Sequence, residues 1–245
     1  MKKIDMHGHL GHWPFALPNC GSAESLVRLC ERYDIEHLAA SSSLALNYDM
    51  EAGNAEMAEA AREHKRLLMY VYVNPNFIAQ SCAEMDRYLP EEFGVGCKIH
   101  TSYSATPTSA PRMHELVAEI ARRTSLVKVH PGDAADLAQW ASAYPDLNII
   151  VAHSFGSNYP AAVELAIAHP NIYLDFCCSH AGRGKVRYAL DRCGAGQIVF
   201  GSDMDLLDPA FTMSVFEGAK LSEEERRAVY HDNGARLLGI AGTGA

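Results

Sequence analysis

The stretch that decides the fold lies near the start of the chain. It reads Ile4-Asp5-Met6-His7-Gly8-His9. We interpret it as the first β-strand with the residues that directly follow. Strand residues separated by one position point to the same face, so both imidazoles can reach one metal ion. A lone His-x-His pair is weak evidence, since chance supplies on the order of half such a pair in a chain with this histidine content. The pattern gains weight only if later strands direct ligands to the same place.

Length and composition limit the class of protein. The 245 residues suit one large domain, and we expect residues 1–245 to form it. The net charge is −9, with 30 acidic and 21 basic residues, and no basic run is long enough to follow a phosphate backbone. Nucleic acid is therefore not an expected partner. The apolar runs fall short of the roughly 20 residues of a membrane helix, which predicts no membrane association.

The cysteines indicate the compartment. There are seven, an odd number, and they are irregularly spaced behind an N-terminal stretch without an apolar leader. Reduced thiols in the cytoplasm fit this pattern best.

Eight short aliphatic or β-branched runs predict eight strands. They are Lys3 to His7, Glu36 to Ser41, Leu67 to Val73, Gly94 to His100, Leu126 to His130, Leu147 to His153, Asn171 to Phe176 and Gln197 to Asp203. Segments with apolar residues at helical spacing separate them, for example Met113, Leu116, Val117 and Ile120. Eight strand-helix units predict a parallel (β/α)8 TIM barrel, and an open doubly wound sheet is the alternative.

Loop lengths indicate which end of the barrel carries the site. Several strand-to-helix connections are long, such as Thr101 to Ala110, whereas helix-to-strand returns such as Tyr144-Pro145-Asp146 are short. In barrels of this type the site is built from the strand-to-helix loops at the carboxyl ends of the strands.

Polar side chains occur at those strand ends. They are His7 and His9 on the first strand, Lys98 and His100 on the fourth, His130 on the fifth, His153 on the sixth and Asp203 on the eighth. Each histidine alone is more often a hydrogen-bonded structural residue than a ligand. Because the carboxyl ends of barrel strands converge on one mouth, the joint arrangement predicts a metal site.

The residue types suit a catalytic metal. Imidazoles with one carboxylate favour zinc, with manganese, iron or cobalt as alternatives, and none of the candidate ligands is a cysteine. A metal with an open position lowers the pKa of bound water to about 7 and so supplies a nucleophile. A carboxylate beside that water can move its proton, and we expect Asp203 to do so.

The chain resembles the amidohydrolase superfamily, and within it the amidohydrolase-related branch of metal-dependent hydrolases and decarboxylases. The motifs that carry the resemblance are His7-Gly8-His9, the histidines His130 and His153, and Gly201-Ser202-Asp203, which occur in the family's order over nearly the whole chain. The resemblance implies that His7, His9, His130 and Asp203 bind the metal. It implies that His153 orients or polarises the water or the substrate.

The number of metal ions depends on Lys98. In two-metal members of the superfamily a fourth-strand lysine is carboxylated and bridges the ions, in which case His153 would bind the second metal. In the resembling branch a lysine-histidine pair on this strand, here Lys98 and His100, often occurs in single-metal enzymes. We favour one metal ion, with Lys98 and His100 contacting the substrate.

Other candidates lie on the loops. Trp13 on the first long loop is a candidate pocket wall, and Arg183 after the seventh strand is a candidate for holding an anionic group. Ordinary loop packing explains Trp13 about as well, and a solvated loop residue is the better explanation of Arg183. Asp5 faces the interior below His7 and is a candidate partner for a metal ligand. Cys97, Cys177 and Cys178 are interpreted as core residues.

We therefore predict a metal-dependent hydrolase that uses activated water on a small-molecule amide, ester or lactone. One alternative is a metal-dependent non-oxidative decarboxylase of a small aromatic or unsaturated acid. An alternative of another class is a non-catalytic metal-binding barrel. The substrate, the native metal and assembly into a homo-oligomer are left open by the sequence.

Overall fold

Eight parallel strands form the centre of the molecule. The computed structural model describes residues 1–15, 21–177, 182 and 184–240. The strands are β1 (Lys3–Leu10), β2 (Ile35–Ser42), β3 (Leu67–Tyr72), β4 (Gly94–His100), β5 (Leu126–His130), β6 (Asn148–Val151), β7 (Ile172–Asp175) and β8 (Ile198–Val199). They pair in sequence order, and every pairing is parallel.

Helices surround the strands. They are α1 (Ala23–Arg32), α2 (Ser43–Asn47), α3 (Met50–Glu63), α4 (Ile78–Tyr88), α5 (Pro111–Ala121), α6 (Ala134–Ala143), α7 (Tyr159–Ala168), α8 (Lys185–Cys193), α9 (Pro209–Glu217), α10 (Glu223–Arg227) and α11 (Asn233–Leu238). Short helical turns cover Ala152–Asn158 and Ala195–Gln197, and a π-helical turn covers Ala228–Asp232. In the described part of the chain, no helix combines the length and the apolar character needed to cross a membrane.

The segment after β8 closes the barrel against β1. The Met6 N–H donates to the Phe200 carbonyl at 2.9 Å, and the Asp203 N–H donates to the His7 carbonyl at 2.8 Å. Gly8 and Met204 form a parallel bridge beyond them. This closure confirms the predicted single-domain (β/α)8 TIM barrel, and the open doubly wound sheet was the wrong alternative.

The helices follow the predicted apolar pattern. Ser22 caps α1, where its side chain accepts from the Ser25 N–H, and Leu26 and Cys30 are buried on one face of that helix. The apolar positions predicted for α5 are buried in the same way: Met113, Leu116, Val117 and Ile120. One continuous apolar core therefore lies between the helices and the outer face of the barrel.

Two strands end before the polar residue that was predicted at their carboxyl ends. β6 ends at Val151 and β8 at Val199, so His153 and Asp203 lie in the segments that follow rather than on the strands. His153 has φ 56° and Asp203 has φ 63°. A strand cannot include left-handed backbone, so neither residue lies on its strand.

The register of β4 and β5 stacks the interior side chains in layers. Lys98 pairs with Lys128, and His100 pairs with His130. Both lysines are buried inside the barrel, and the two histidines lie one layer nearer the mouth. The fold therefore sets a layer of imidazoles on a layer of buried charge.

A buried amide supports the opposite end of the barrel. The Asn171 side chain donates to the carbonyls of Ala141, Tyr144 and Leu147 at 3.0–3.2 Å. We expect Asn171→Ala to lower the free energy of unfolding by about 1–3 kcal/mol, because buried carbonyls lose their donor. Urea denaturation measures the change. The control Asn148→Ala removes one solvent-exposed side-chain hydrogen bond and should lower the free energy of unfolding by less than about 0.5 kcal/mol. Equal losses of stability in the two variants would contradict the structural role of Asn171.

Candidate metal centre

Two histidines and one carboxylate meet at the mouth of the barrel. His7 and His9 project from β1 into the interior, where they are 1% and 3% exposed. The Asp203 Oδ1 lies 3.6 Å from the His7 Nε2 and 3.2 Å from the His9 Nε2. This oxygen is buried and has no hydrogen-bond partner. The three ligand atoms lie within 4.8 Å of one another, as the donors of one cation would.

The protonation states of these groups suit a cation. Burial, followed by the positive charge of Lys128, lowers the pKa of His7 well below its usual value. Burial also lowers the pKa of His9. Burial alone would raise the pKa of Asp203, but the His9 imidazole, whose Nε2 lies 3.2 Å from Oδ1, and the other nearby imidazoles outweigh it and hold the pKa below its usual range. The site therefore presents neutral imidazoles and an ionised carboxylate.

His153 lies beside this cluster. Its ring centroid is 4.9 Å from that of His7 and 4.3 Å from that of His130. Its backbone N–H donates to the Asp175 Oδ1 at 2.8 Å, and its Nδ1 contacts the Cys177 carbonyl. Because a carbonyl only accepts, Nδ1 carries the proton and Nε2 keeps a lone pair.

His100 and His130 form the next part of the mouth. Their rings are in edge contact, with centroids 4.4 Å apart. The His100 Nδ1 accepts from the Tyr103 N–H at 3.4 Å, so its Nε2 carries the proton. Burial lowers the pKa of His100 to about 2. His100 is therefore a neutral hydrogen-bond donor.

Two lysines are buried below the imidazoles. The Lys98 Nζ lies 3.3 Å from the His7 Nε2, and burial together with the charge of Lys128 lowers the pKa of Lys98 to about 7. The Lys128 Nζ forms an ion pair with the Asp175 Oδ2 at 2.9 Å and donates to the Met6 carbonyl at 2.6 Å. The charge of Lys128 is therefore compensated by Asp175. Lys98 instead points to the proposed metal ligands.

A cavity of about 590 Å³ opens beside the cluster. It is lined by His130, Pro131, Gly132, Asp133, Ala134, Ala152, His153, Phe155, Gly156, Asn158 and Asp203. Trp13 lies at the mouth of the barrel, where its indole N–H donates to the Asp205 Oδ1 at 3.2 Å and its ring contacts that of His9. The cavity is large enough for a small organic molecule.

The structure brings most of the predicted site residues to this mouth. His7, His9 and Asp203 come together, and Lys98 and His153 lie around them. His130 contacts His153 and His100 by ring packing and lies outside the three-residue group, so its role as a ligand stays a prediction. The predicted residues Arg183 and Cys178 lie outside the described residues.

Sequence reasoning missed a second polar group. His7, His153, Asp175 and Cys177 also bring ligand atoms within 4.8 Å of one another. Cys177 is buried as predicted, and its Sγ lies 3.1 Å from the His7 Nδ1. A carboxylate ending the apolar strand β7 and a lysine between the valines of β5 were the signals that pointed to Asp175 and Lys128.

Comparison with known proteins agrees with the fold. A family model described as amidohydrolase matches residues 4–240. No curated protein matches the chain. The solved 2,6-dihydroxybenzoate decarboxylase from Rhizobium is 16% identical, with TM-score 0.74, and the match covers 98% of this chain and 99% of that chain.

Two other solved structures are similar. A dihydroxybenzoic acid decarboxylase from Polaromonas sp. JS666, with bound manganese and the inhibitor 2-nitroresorcinol, is 16% identical with TM-score 0.72 over 98% of this chain and 97% of that chain. A protein described as a probable 2-pyrone-4,6-dicarboxylic acid hydrolase from Acinetobacter baumannii is 13% identical, with TM-score 0.70 over 98% of this chain and 100% of that chain. At these identities the likeness shows a common fold. Because the family model spans nearly the whole chain, the chain belongs to the amidohydrolase family.

Proposed function

We propose that the chain is a metal-dependent hydrolase that acts on a small-molecule amide, ester or lactone at the barrel mouth. The observation that carries the proposal is the buried, unpartnered Oδ1 of Asp203 between the Nε2 atoms of His7 and His9. A buried carboxylate oxygen without a donor is costly unless a cation or another donor binds it.

The donor set fits a divalent metal. Ligand atoms bound about 2.0–2.2 Å from one tetrahedral ion lie roughly 3.3–3.6 Å apart. The Asp203 Oδ1 lies at 3.2 and 3.6 Å from the two imidazole nitrogens, close to that spacing. Nitrogen and carboxylate donors suit zinc, and they also bind manganese, iron or cobalt. We propose His130 as a further ligand on the family resemblance.

We propose one metal ion rather than two. The Lys98 Nζ lies 3.3 Å from the His7 Nε2, and His153 uses its Nδ1 on the Cys177 carbonyl. A metal content near two per chain together with a carboxylated Lys98 would contradict this proposal.

The residues around the ion have different roles in the reaction. When bound, a divalent metal acts as a Lewis acid and makes water a stronger nucleophile near neutral pH. The ionised Asp203 takes a proton from the attacking water and passes it to the leaving group. His153 orients the water or the substrate through the lone pair on its Nε2. The Nε2–H of His100 donates to a substrate oxygen.

The substrate binds in the cavity beside the ligand cluster and contacts the first loop. Lys98 supplies a donor from below, and Trp13, fixed by its bond to Asp205, supplies an apolar wall. Arg183 remains a predicted contact for an anionic group. A small organic molecule is the partner that this arrangement suits, since the open space is limited to about 590 Å³.

Decarboxylation of a small aromatic or unsaturated acid is the second candidate. Two similar solved structures are decarboxylases of dihydroxybenzoates. Unlike Lys128, which pairs with Asp175, Lys98 has no carboxylate at ion-pair distance in the described part of the chain. A substrate carboxylate pairs with it, while Asp203 or His153 takes a proton from water or from a substrate hydroxyl and delivers it to the carbon that loses carbon dioxide.

A substrate panel separates the two reactions. The metal-loaded chain is incubated with lactones, esters and amides and, separately, with hydroxybenzoic acids. Acid formation from the first group supports the hydrolase, and carbon dioxide release from the second group alone supports the decarboxylase. Turnover of nothing, with tight binding of a small acid, would favour a non-catalytic metal-binding barrel.

Removing either histidine of the pair should weaken metal binding. We expect His7→Ala and His9→Ala to lower affinity by about 100-fold or more, because loss of a direct ligand should cost at least as much as the 10–100-fold effect of outer contacts. Elemental analysis after dialysis measures the occupancy. The control His169→Ala, at the opposite end of the barrel, should keep it. Full occupancy in both variants would refute ligation by these residues.

Replacing the proposed proton carrier should remove most activity. We expect Asp203→Asn to lower kcat at saturating metal by about 10²–10⁴-fold, the usual contribution of general acid-base catalysis. The control Asp208→Asn makes the same charge change nearby and keeps a good helix cap, so it should leave kcat unchanged. Near-normal turnover by Asp203→Asn would count against its role.

A further inference from the structure

Asp175 lies at the end of β7, under the proposed metal centre. Its carboxylate meets four donors that come from different parts of the barrel. Oδ2 lies 3.0 Å from the His7 Nδ1 and 2.9 Å from the Lys128 Nζ. Oδ1 accepts from the His153 N–H at 2.8 Å and from the Cys177 thiol at 3.1 Å. The carboxylate is fully buried.

We infer that Asp175 is a positioning residue that fixes the tautomer of His7, so that the lone pair of Nε2 faces the metal. This inference rests on the proposed function, because it assigns a purpose to His7 as a ligand. An ionised carboxylate only accepts hydrogen bonds, so the His7 Nδ1 must carry the proton. The Lys98 ammonium, 3.3 Å away on the other side of the ring, is a donor that matches a lone pair on Nε2.

The same carboxylate also positions His153. The backbone at His153 is left-handed, with φ 56°, which is uncommon for a residue with a side chain. The bond from its N–H to the Asp175 Oδ1 holds this conformation, and the Ser154 hydroxyl donates to the Asp175 carbonyl at 2.5 Å. One side chain therefore sets the direction of two imidazoles at the mouth.

A second metal ion between His7, His153, Asp175 and Cys177 is the competing explanation of this group. Their ligand atoms lie within 4.8 Å of one another. However, four donors already use both oxygens of Asp175, and the Lys128 ammonium lies 2.9 Å from one of them. A further cation there would be repelled by Lys128 and would displace these donors. The arrangement fits a carboxylate that holds a metal ligand from behind.

The tautomer of His7 can be measured directly in the metal-free wild-type chain. Long-range ¹H–¹⁵N spectra of histidine-labelled protein distinguish a protonated Nδ1 from a protonated Nε2, and His7→Gln identifies the signal. We expect protonation at Nδ1 alone. Protonation at Nε2 would overturn the inference.

Metal affinity supplies the second test. Calorimetric titration with Zn²⁺ or Mn²⁺ should give a Kd about 10–100-fold weaker for Asp175→Asn than for the wild type. In the variant, the His7 signal should become a mixture of tautomers. Asn171→Ala, expected to be destabilised at the opposite end of the barrel, serves as the control and should keep both the affinity and the tautomer.

The outcomes separate the two proposals. If the wild type binds Zn²⁺ or Mn²⁺ and Asp175→Asn binds equally well with an unchanged His7 tautomer, the role of Asp175 is refuted and the metal site stands. If the wild type binds neither ion but shows a His7 protonated at Nδ1 that changes in Asp175→Asn, the proposed function fails and the positioning role stands.

Discussion

The joint between β1 and the segment after β8 is the constraint on which the site depends. The Asp5 Oδ1 accepts the N–H groups of both His7 and Ser202, so one buried carboxylate ties the first strand to the last. Asp5 is fully buried, and burial raises its pKa to about 7. Because the Asp203 N–H also donates to the His7 carbonyl, closing the barrel and assembling the three ligand atoms are the same event.

The sequence predicts the architecture because its apolar residues follow a regular pattern along the chain. Each strand is a run of apolar residues, and the helices carry apolar residues at regular spacing, so existence and order of the elements follow from pattern alone. The direction of His7 and His9 follows in the same way from strand alternation. His153 and Asp203 illustrate the limit. Their left-handed backbone depends on contacts from β7 and β1, and no local signal marks it.

Sequence analysis missed Lys128 and Asp175 for a different reason. Lys128 and Asp175 lie in runs that are otherwise apolar, and each alone reads as an interruption of a buried strand. Only the barrel shows that they form an ion pair at 2.9 Å behind His7. Buried charges are tolerated when they are paired and hydrogen-bonded, and this pair meets both conditions. The interior thus has two layers. The lower layer holds the Lys128–Asp175 ion pair, and the neutral imidazoles lie above it.

The central claim is that His7, His9 and Asp203 bind one cation through the Nε2 atoms of the histidines. An anomalous-scattering map from a crystal of the manganese- or zinc-loaded chain tests it most directly. We expect a single peak about 2.0–2.3 Å from the two Nε2 atoms and the Asp203 Oδ1. A peak bound instead by the His7 Nδ1 and Cys177, or a peak away from all three residues, would contradict it.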